Sequence, residues 1–363
     1  MQRFSLVLAA TLTFGCQSEP LSRVPGGLRA AEFGLVPALP SWPDLEPTSA
    51  KEELGRRLFF DPRLSASGNT NCDICHVAAT RFQDNLITAV PDRSYPQAFP
   101  RADRNTTSML NIVYAPVLRW DGSTSDLIEA MVLPFAEPNM NLGTDIPAAQ
   151  MVLYDKLTSQ LPDYVPLYEN AFGTDPRTLS AAEVFRLTGQ AFAVFSRRMI
   201  SRDSAFDQWN AGDDDAMSES AVRGFELFRG KARCVVCHSG PFFTDYAFHN
   251  VSTSIPDASG KRKDEGRFVV TGNEKDRGAF LTPTLRSVID SQPYFHDGSV
   301  GFIRLAISHF ISAEALADPN HDPALDLNET FTDAELDDLV EFLRALRGAP
   351  ISPEIVAPED PVP

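Results

Sequence analysis

Two short segments of the chain combine a pair of cysteines with a histidine at the same spacing. Residues 72–76 read CDICH and residues 234–238 read CVVCH. The pattern Cys-x-x-Cys-His is typical of c-type haem attachment, because two thiols three positions apart reach the two vinyl groups of one porphyrin while the adjacent imidazole reaches the iron. A zinc site or a disulfide is the alternative, which two motifs with both histidines in register disfavour. The sequence therefore predicts two covalent haem c groups, attached through Cys72, Cys75, Cys234 and Cys237 and ligated by His76 and His238.

The rest of the chain must supply the elements that position these motifs. A length of 363 residues indicates two domains, at roughly 150 residues per domain. A weak internal repeat agrees, because GRRLF at 55–59 precedes the first motif and GFELF at 224–228 precedes the second. We predict an N-terminal haem domain over 49–205 and a C-terminal haem domain over 206–349.

Capping-box sequences predict where the helices begin. They occur at Ser49 with Glu52, Ser180 with Glu183, and Thr332 with Glu335. We expect the first helix to stop at Asp61-Pro62, the second to cover 181–199, and the last to be closed by Gly348. No sustained period-2 run is present, so the predicted fold class is mainly α, with short helices and long loops.

The ends of the chain read as segments outside the two domains. Residues 1–16 combine an Arg-bearing start, an apolar stretch and Gly15 before Cys16, which predicts a bacterial export signal. Cys16 is either a lipoprotein acylation site, giving an N-terminal lipid anchor, or part of a plain secretory signal. Residues 17–48 form a Pro-rich linker and residues 350–363 a Pro-rich tail. The expected location is the periplasm.

The charge of the chain limits its partners. With 32 basic and 49 acidic residues, the formal net charge is −17. Such acidity disfavours nucleic acid and anionic membrane surfaces and fits a basic protein partner. The alternative is that the acidity serves solubility alone.

These residues resemble the bacterial di-haem cytochrome c peroxidases together with the methylamine-utilisation protein MauG. The similarity extends over about residues 50–348. The matching segments, besides the two motifs, are Leu58-Phe59, Arg63-Leu64-Ser65, Asn105 with Trp120-Asp121-Gly122, Phe243-Thr244-Asp245, Phe248-His249-Asn250, Thr282 to Arg286, and Pro293 to Ser299.

The resemblance implies two cytochrome c-like helical domains, each carrying one haem, around a calcium ion. The N-terminal haem would react with hydrogen peroxide and the C-terminal haem would store and pass electrons. Asn105 would bind calcium through its side chain, and Ser291 and Pro293 through backbone carbonyls. Arg286 would contact the cofactor, and Trp120 and Pro134 would belong to the reactive pocket.

The reactive pocket departs from the family pattern. Where family peroxidases place a Gln and a Glu, ten and twenty residues after the Trp, this chain has Ala130 and Met140. A one-residue deletion would instead put Asn139 at the position of the Glu. Neither Asn nor Met can move a proton between the oxygens of peroxide. Glu137 is the nearby carboxylate, and it is either the replacement catalytic acid or a solvated loop residue.

The histidines outside the motifs bear on iron ligation. The stretch from Val77 to Cys237 has no His, so the first haem should be five-coordinate or water-bound. At the second haem the family's Met or Tyr ligand is replaced by Phe310. His309 beside it is the predicted iron ligand. If His309 points away, the second iron should be five-coordinate.

The leading function is a peroxidase that takes electrons from a small c-type cytochrome, a cupredoxin or another protein donor. The first alternative is a MauG-like oxidation of a partner protein with peroxide. The second is a di-haem electron-transfer protein without peroxide chemistry, suggested by the missing Gln and Glu.

Overall fold

The computed structural model describes residues 28–42, 45–88, 103–327, 329–352 and 355. The predicted export signal, the first part of the predicted linker and most of the predicted tail lie outside these ranges. Within them, no helix is both long and apolar enough to cross a membrane.

The described chain is mainly helical, with little sheet. The helices are α1 (Ser49–Phe60), α2 (Cys72–Cys75), α3 (Leu127–Val132), α4 (Ile146–Asp155), α5 (Tyr164–Phe172), α6 (Ala181–Ser196), α7 (Ala205–Asn210), α8 (Glu219–Arg229), α9 (Phe268–Thr271), α10 (Ile303–Phe310) and α11 (Asp333–Ala345). Two short strands, β1 (Phe248–His249) and β2 (Phe280–Leu281), pair antiparallel.

The predicted capping boxes at Ser180 and Thr332 are confirmed at the starts of α6 and α11. The first prediction was wrong by one residue: Thr48 caps α1, because its hydroxyl accepts the N–H of Lys51. Helix α6 ends at Ser196 rather than 199, and α11 ends at Ala345, before Gly348. Asp61 ends α1 as expected.

Two hydrophobic clusters divide the molecule into halves. The first is built from residues of 54–199 with Ile355, and the second from residues of 206–346 with Ala30 and Phe33. The predicted boundary between 205 and 206 falls between them. The second cluster is rich in aromatic rings, including Phe206, Phe225 and Phe342, which pack edge to face or tilted.

The glycines of the sequence repeat lie where helices cross closely. A Cβ on Gly55 of α1 would collide with the carbonyl of Ala191 on α6. A Cβ on Gly224 of α8 would collide with the carbonyl of Asp338 on α11. Each half therefore brings the helix before its Cys motif against a second helix through a glycine, since only glycine permits this approach of the backbones.

A second repeat appears in two turns, one in each half. Residues 118–124 and 294–300 are each closed by an antiparallel bridge between their end residues. Arg119 and Phe295 occupy the same place, with φ of 71° and 69°. Helix α3 begins nine residues after Leu118 and α10 begins nine residues after Tyr294. Counted from Leu118 and Tyr294, the first residues of the two turns, Pro134 in the first half corresponds to Phe310 in the second.

The described part of the predicted linker packs against both halves. The side chain of Phe33 is fully buried against Phe206, Phe225 and Phe243. Leu45 packs with residues of α6 in a separate small cluster. The described residues of this segment, 28–42 and 45–48, are part of the folded structure rather than an extended connection ahead of it.

Candidate functional site

The first Cys motif opens into a cavity of about 430 Å³. Helix α2 carries both cysteines and is capped by Asn71, whose side chain accepts the N–H of Ile74. The cavity brings together the predicted residues Cys72, Cys75, His76, Trp120, Pro134 and Glu137. It also extends into the second half, to Tyr246 and the segment 281–284.

The ring of His76 is oriented by the backbone that follows it. Its Nδ1 donates to the carbonyl of Phe82 at 3.2 Å, which leaves Nε2 as the nitrogen for a metal. Burial lowers the pKa of His76, and burial raises the pKa of the Cys72 thiol to about 12. The imidazole is therefore neutral, as iron ligation requires. The residues of this cavity fit a haem held by two sulfurs and one imidazole.

The second motif has the same proximal arrangement. Nδ1 of His238 donates to the carbonyl of Phe243 at 2.9 Å. Burial lowers the pKa of His238 and raises the pKa of the Cys234 thiol to about 12. Phe82 and Phe243 both have positive φ and are fully buried. The same type of hydrogen bond, from Nδ1 to a Phe carbonyl, therefore orients the histidine in each half.

His249 and Asp245 lie close to the second motif. Sγ of Cys237 is within 4.8 Å of ligand atoms of both residues. His249 bonds Asp245 through Nε2 at 3.0 Å and Asp322 through Nδ1 at 2.5 Å. Hydrogen bonds to Cys237, Asp322 and Asp245 raise the pKa of His249 to about 10. Because Cys237 belongs to the haem motif, we assign no separate metal site here.

Glu137 is not a freely solvated loop residue. Nη1 of Arg119 donates to its Oε1 at 2.7 Å, and both residues line the cavity. Each side chain is about one third exposed. The backbone of Glu137 is held by two bonds, its N–H to the carbonyl of Pro134 and its carbonyl to the N–H of Asn141.

The structure separates the two residues that the sequence offered for the acid position. Asn139 lines the cavity, whereas Met140 is buried in the core of the first half. Ala130 also lines the cavity. Of these two residues, Asn139 is therefore the one that can contact a molecule in the cavity.

The three predicted calcium residues meet at the edge of the cavity that faces the second half. Asn105, Ser291 and Pro293 all line it, and Nδ2 of Asn105 donates to the carbonyl of Pro293 at 2.6 Å. Gln83 donates through Nε2 to Oδ1 of Asn105, while its own Oε1 is buried without a hydrogen-bond partner. Buried oxygens of this kind are the donors that Ca²⁺ takes.

An ion-pair network joins the halves beside these residues. Arg104 donates to Asp121 at 2.6 Å and to both oxygens of Asp264 at 2.6 and 2.9 Å. Burial alone would raise the pKa of Asp264, but the hydrogen bonds and charge of Arg104 outweigh it and lower that pKa. Trp120 adds a link, since its indole N–H donates to the carbonyl of Asn105 and its carbonyl accepts the N–H of Leu281.

Arg286 is fully buried behind the second motif. Its guanidinium bonds both oxygens of Asp207 at 2.8 Å and the carbonyl of Pro241. It also lies over the ring of Phe243, 5.6 Å from the ring centre. These bonds support the loop that orients His238, and a direct contact between Arg286 and the cofactor stays a prediction.

His309 lies at the end of α10 and is bonded to a backbone group. Its Nε2 donates to the carbonyl of Val251 at 2.7 Å, and its ring packs against Phe295. Ligation of the second iron through Nε2 would require this bond to break. The alternative, in which His309 points away and Phe310 stands at the ligand position, agrees better with the observed bond.

Arg119 is a charged residue of the cavity that the sequence did not indicate. It precedes Trp120 directly, but its partner is 18 positions further on. The available signal was the Asp-Gly-Ser shared by 121–123 and 297–299, which marks the repeated turn.

A mainly helical chain with two equivalent Cys-x-x-Cys-His sites, one of them open to a cavity, defines a di-haem protein. The family model for di-haem cytochrome c peroxidase matches residues 49–215. The chain belongs to the family of di-haem cytochrome c peroxidases and MauG proteins. It is accordingly a di-haem oxidoreductase of the peroxidase type.

Individual relatives support this membership. The chain is 33% identical to the methylamine utilization protein MauG of Methylorubrum extorquens, over 94% of this chain and 89% of that protein. It is 32% identical to the cytochrome c551 peroxidase of Nitrosomonas europaea, over 82% and 79%. In fold it resembles a MauG-like protein associated with microbial copper homeostasis, with a TM-score of 0.74, 24% identity, and coverage of 90% of this chain and 96% of that one.

Proposed function

We propose that the chain reduces hydrogen peroxide in the bacterial periplasm at a haem in the first cavity. Electrons come from a small c-type cytochrome, a cupredoxin or another protein donor and enter through the second haem. One observation carries the proposal: the Arg119–Glu137 pair lines the same cavity as the first Cys motif. The cavity thus offers a proton-transferring group beside the site of an open haem.

Both haems are proposed to be covalently attached, each within a cytochrome c-like domain. The two sulfurs of each motif would form thioethers, with Nε2 of His76 or His238 on the iron. The matching Nδ1 bonds of the two histidines support this, because they present the same nitrogen in both halves.

Peroxide reduction consumes two electrons and two protons and yields two waters. Cleavage of the O–O bond needs a group that takes a proton from one oxygen and delivers it to the other. Glu137 can do this, whereas Ala130 and Asn139 cannot. The haem, when bound, supplies the iron that peroxide coordinates and the electrons that reduce it. Pro134 fixes the backbone of Glu137, and Trp120 is held by the carbonyl of Asn105.

A calcium ion is proposed between the halves, bound by Asn105 and the carbonyls of Ser291 and Pro293. Asn105 would turn its amide oxygen toward Pro293, and its nitrogen would then face Gln83. The proposal is supported by the buried Oε1 of Gln83, an oxygen beside Asn105 that lacks a hydrogen-bond partner. Chelation should loosen the contact between the halves and slow electron transfer between the haems.

The deciding experiment is stopped-flow mixing of the haem-loaded protein with hydrogen peroxide. We expect peroxide to change the Soret absorption and Glu137→Gln to slow that change by about 10²-fold, the size associated with acid-base catalysis. Glu169→Gln, on the exposed face of α5, is the matched control and should react as the parent does. An unreactive parent would favour the electron-transfer alternative, and an unaffected Glu137→Gln would remove Glu137 from the mechanism.

A second candidate is MauG-like oxidation of a partner protein, favoured by the 33% identity to MauG over most of the chain. Ala232 stands where the MauG group has a Trp two residues before the second motif, so an electron path from such a partner would need other groups. Steady-state peroxide consumption with a reduced cytochrome supports the first candidate. Consumption only with an oxidisable partner would support the second.

The periplasmic location and the possible lipid anchor rest on residues 1–16 alone. Fractionation of the native host with globomycin, which blocks lipoprotein processing, distinguishes the two forms of the signal. A membrane-bound precursor that accumulates under the drug would indicate the lipoprotein.

A further inference from the structure

We propose that Arg119 is a further functional residue of the first cavity, which pairs with Glu137 and binds negative charge on the small ligand that enters. The proposal rests on the proposed function, since hydroperoxide is the anion that a peroxidase must stabilise. Its ligand class is a small anion beside the haem, such as hydroperoxide or a halide.

The backbone holds Arg119 in place. Leu118 and Thr124 close the turn, and the N–H of Gly122 donates to the carbonyl of Arg119 at 3.1 Å. Arg119 itself has a φ of 71°, a left-handed conformation that costs free energy for a residue with a Cβ. On the other side, Glu137 is fixed by Pro134 and Asn141. The pair therefore joins two rigid turns rather than two flexible side chains at a surface.

The repeated turn shows which way this position points. In the second half the equivalent residue is Phe295, whose ring lies 5.8 Å from the ring of Phe310. Phe310 occupies the family's ligand position and corresponds to Pro134 in the first half. The same turn position thus faces the C-terminal end of the helix that follows the turn, which is α3 in the first half and α10 in the second. In the first half it carries a cation and in the second an aromatic ring.

The other charged groups around the cavity are already paired. Arg104 and Asp121 line it but bond each other, and Arg104 also bonds Asp264. Tyr246 and Tyr294 also line the cavity, and burial raises the pKa of each to about 12, so both are neutral near pH 7. The Cys and His groups there belong to the haem motif. Arg119 is therefore the charge that acts most directly on Glu137.

The chemistry of arginine suits both parts of this role. A guanidinium stays protonated at all relevant pH values and carries five N–H donors. In the described structure its side chain makes one hydrogen bond, from Nη1 to Glu137. The remaining donors are available to an anion.

The test uses fluoride, an anion that binds ferric haem without any redox step. We compare Arg119→Gln, Arg119→Lys and the control Arg177→Gln, which breaks the surface pair with Asp175 in the same half. In Arg119→Gln we expect fluoride affinity at the first haem to fall about tenfold, the size of one charge-assisted hydrogen bond. Arg119→Lys should recover part of the lost fluoride affinity. Arg177→Gln should bind fluoride as the parent does.

The rate of the Soret change with hydrogen peroxide is the second measurement. Loss of the Arg119 guanidinium should slow this change, because hydroperoxide then lacks the charged donors that bind it. Fluoride affinity within twofold of the parent would overturn the proposal. If the parent does not react with peroxide but fluoride affinity still falls in Arg119→Gln, the proposed function fails while the anion site stands.

Discussion

The two haem sites of this chain are alike on the histidine side and different on the opposite side. In both halves the carbonyl of a buried Phe with positive φ accepts the Nδ1 hydrogen bond of the motif histidine. Opposite the first motif, the repeated turn presents Arg119 to Glu137. Opposite the second, the same turn presents Phe295 to a ring cluster with Phe310.

This difference agrees with the roles that we propose for the two halves. The carboxylate of Glu137 can exchange protons with a small ligand, whereas the rings of Phe295 and Phe310 cannot. Variants that remove a feature of one half at a time test this difference.

The largest effect should come from removing one pair of attachment cysteines. Cys72→Ser with Cys75→Ser should lose the first haem and all reaction with peroxide. Cys234→Ser with Cys237→Ser should lose the second haem but keep one peroxide reaction per reduced molecule. The pyridine haemochrome assay should fall from two haems per chain to one in each variant. Two haems in either variant would contradict the attachment.

The helix crossings provide the next largest effect. Gly55→Ala and Gly224→Ala should each destabilise their own half by about 1–3 kcal/mol, because the new methyl group meets the backbone of the partner helix. Guanidinium unfolding followed at the absorption of each haem measures this. Gly301→Ala is the control, since nothing lies within 4 Å of its Cβ position. Equal stability of all three variants would show that the helices can separate without cost.

Much of this organisation follows from local sequence, and the rest depends on contacts between distant residues. The sequence predicts the Cys motifs, two of the three capping boxes and the glycine repeat, because each is a pattern within a few positions. It does not predict the burial of Phe33, since six prolines in 17–47 suggest a linker and nothing local indicates a core 170 residues away. Arg119 was missed because its partner arrives through a separate turn.

The contact between the halves should weaken in acid. The pKa of Asp264 is lowered in the folded chain, so the unfolded chain binds more protons as the pH falls below about 4. Stability from this pair is therefore present at neutral pH and lost on acidification. Asp264→Asn should cost about 2 kcal/mol at pH 7, as for a charge-assisted hydrogen bond, and should flatten the acid loss. Asp175→Asn, in a surface pair, is the control. If stability falls with acidification in Asp264→Asn as steeply as in the parent, this ion-pair network is not the cause of the acid loss.

The smallest effect is expected from removing His309. Because Nε2 of His309 is bonded to the carbonyl of Val251, we expect the second iron to lack a histidine on that side and to be high-spin. Electron paramagnetic resonance of the ferric protein should then be the same in the parent and in His309→Ala. Phe310→Met, which restores the ligand type of the family's peroxidases at that position, should add a low-spin signal. A low-spin signal in the parent that disappears in His309→Ala would instead make His309 the ligand. The second half would then have acquired a ligand from the residue beside the family's position, and its haem would have a lower potential than a Met-ligated one, since imidazole favours ferric iron more than a thioether does.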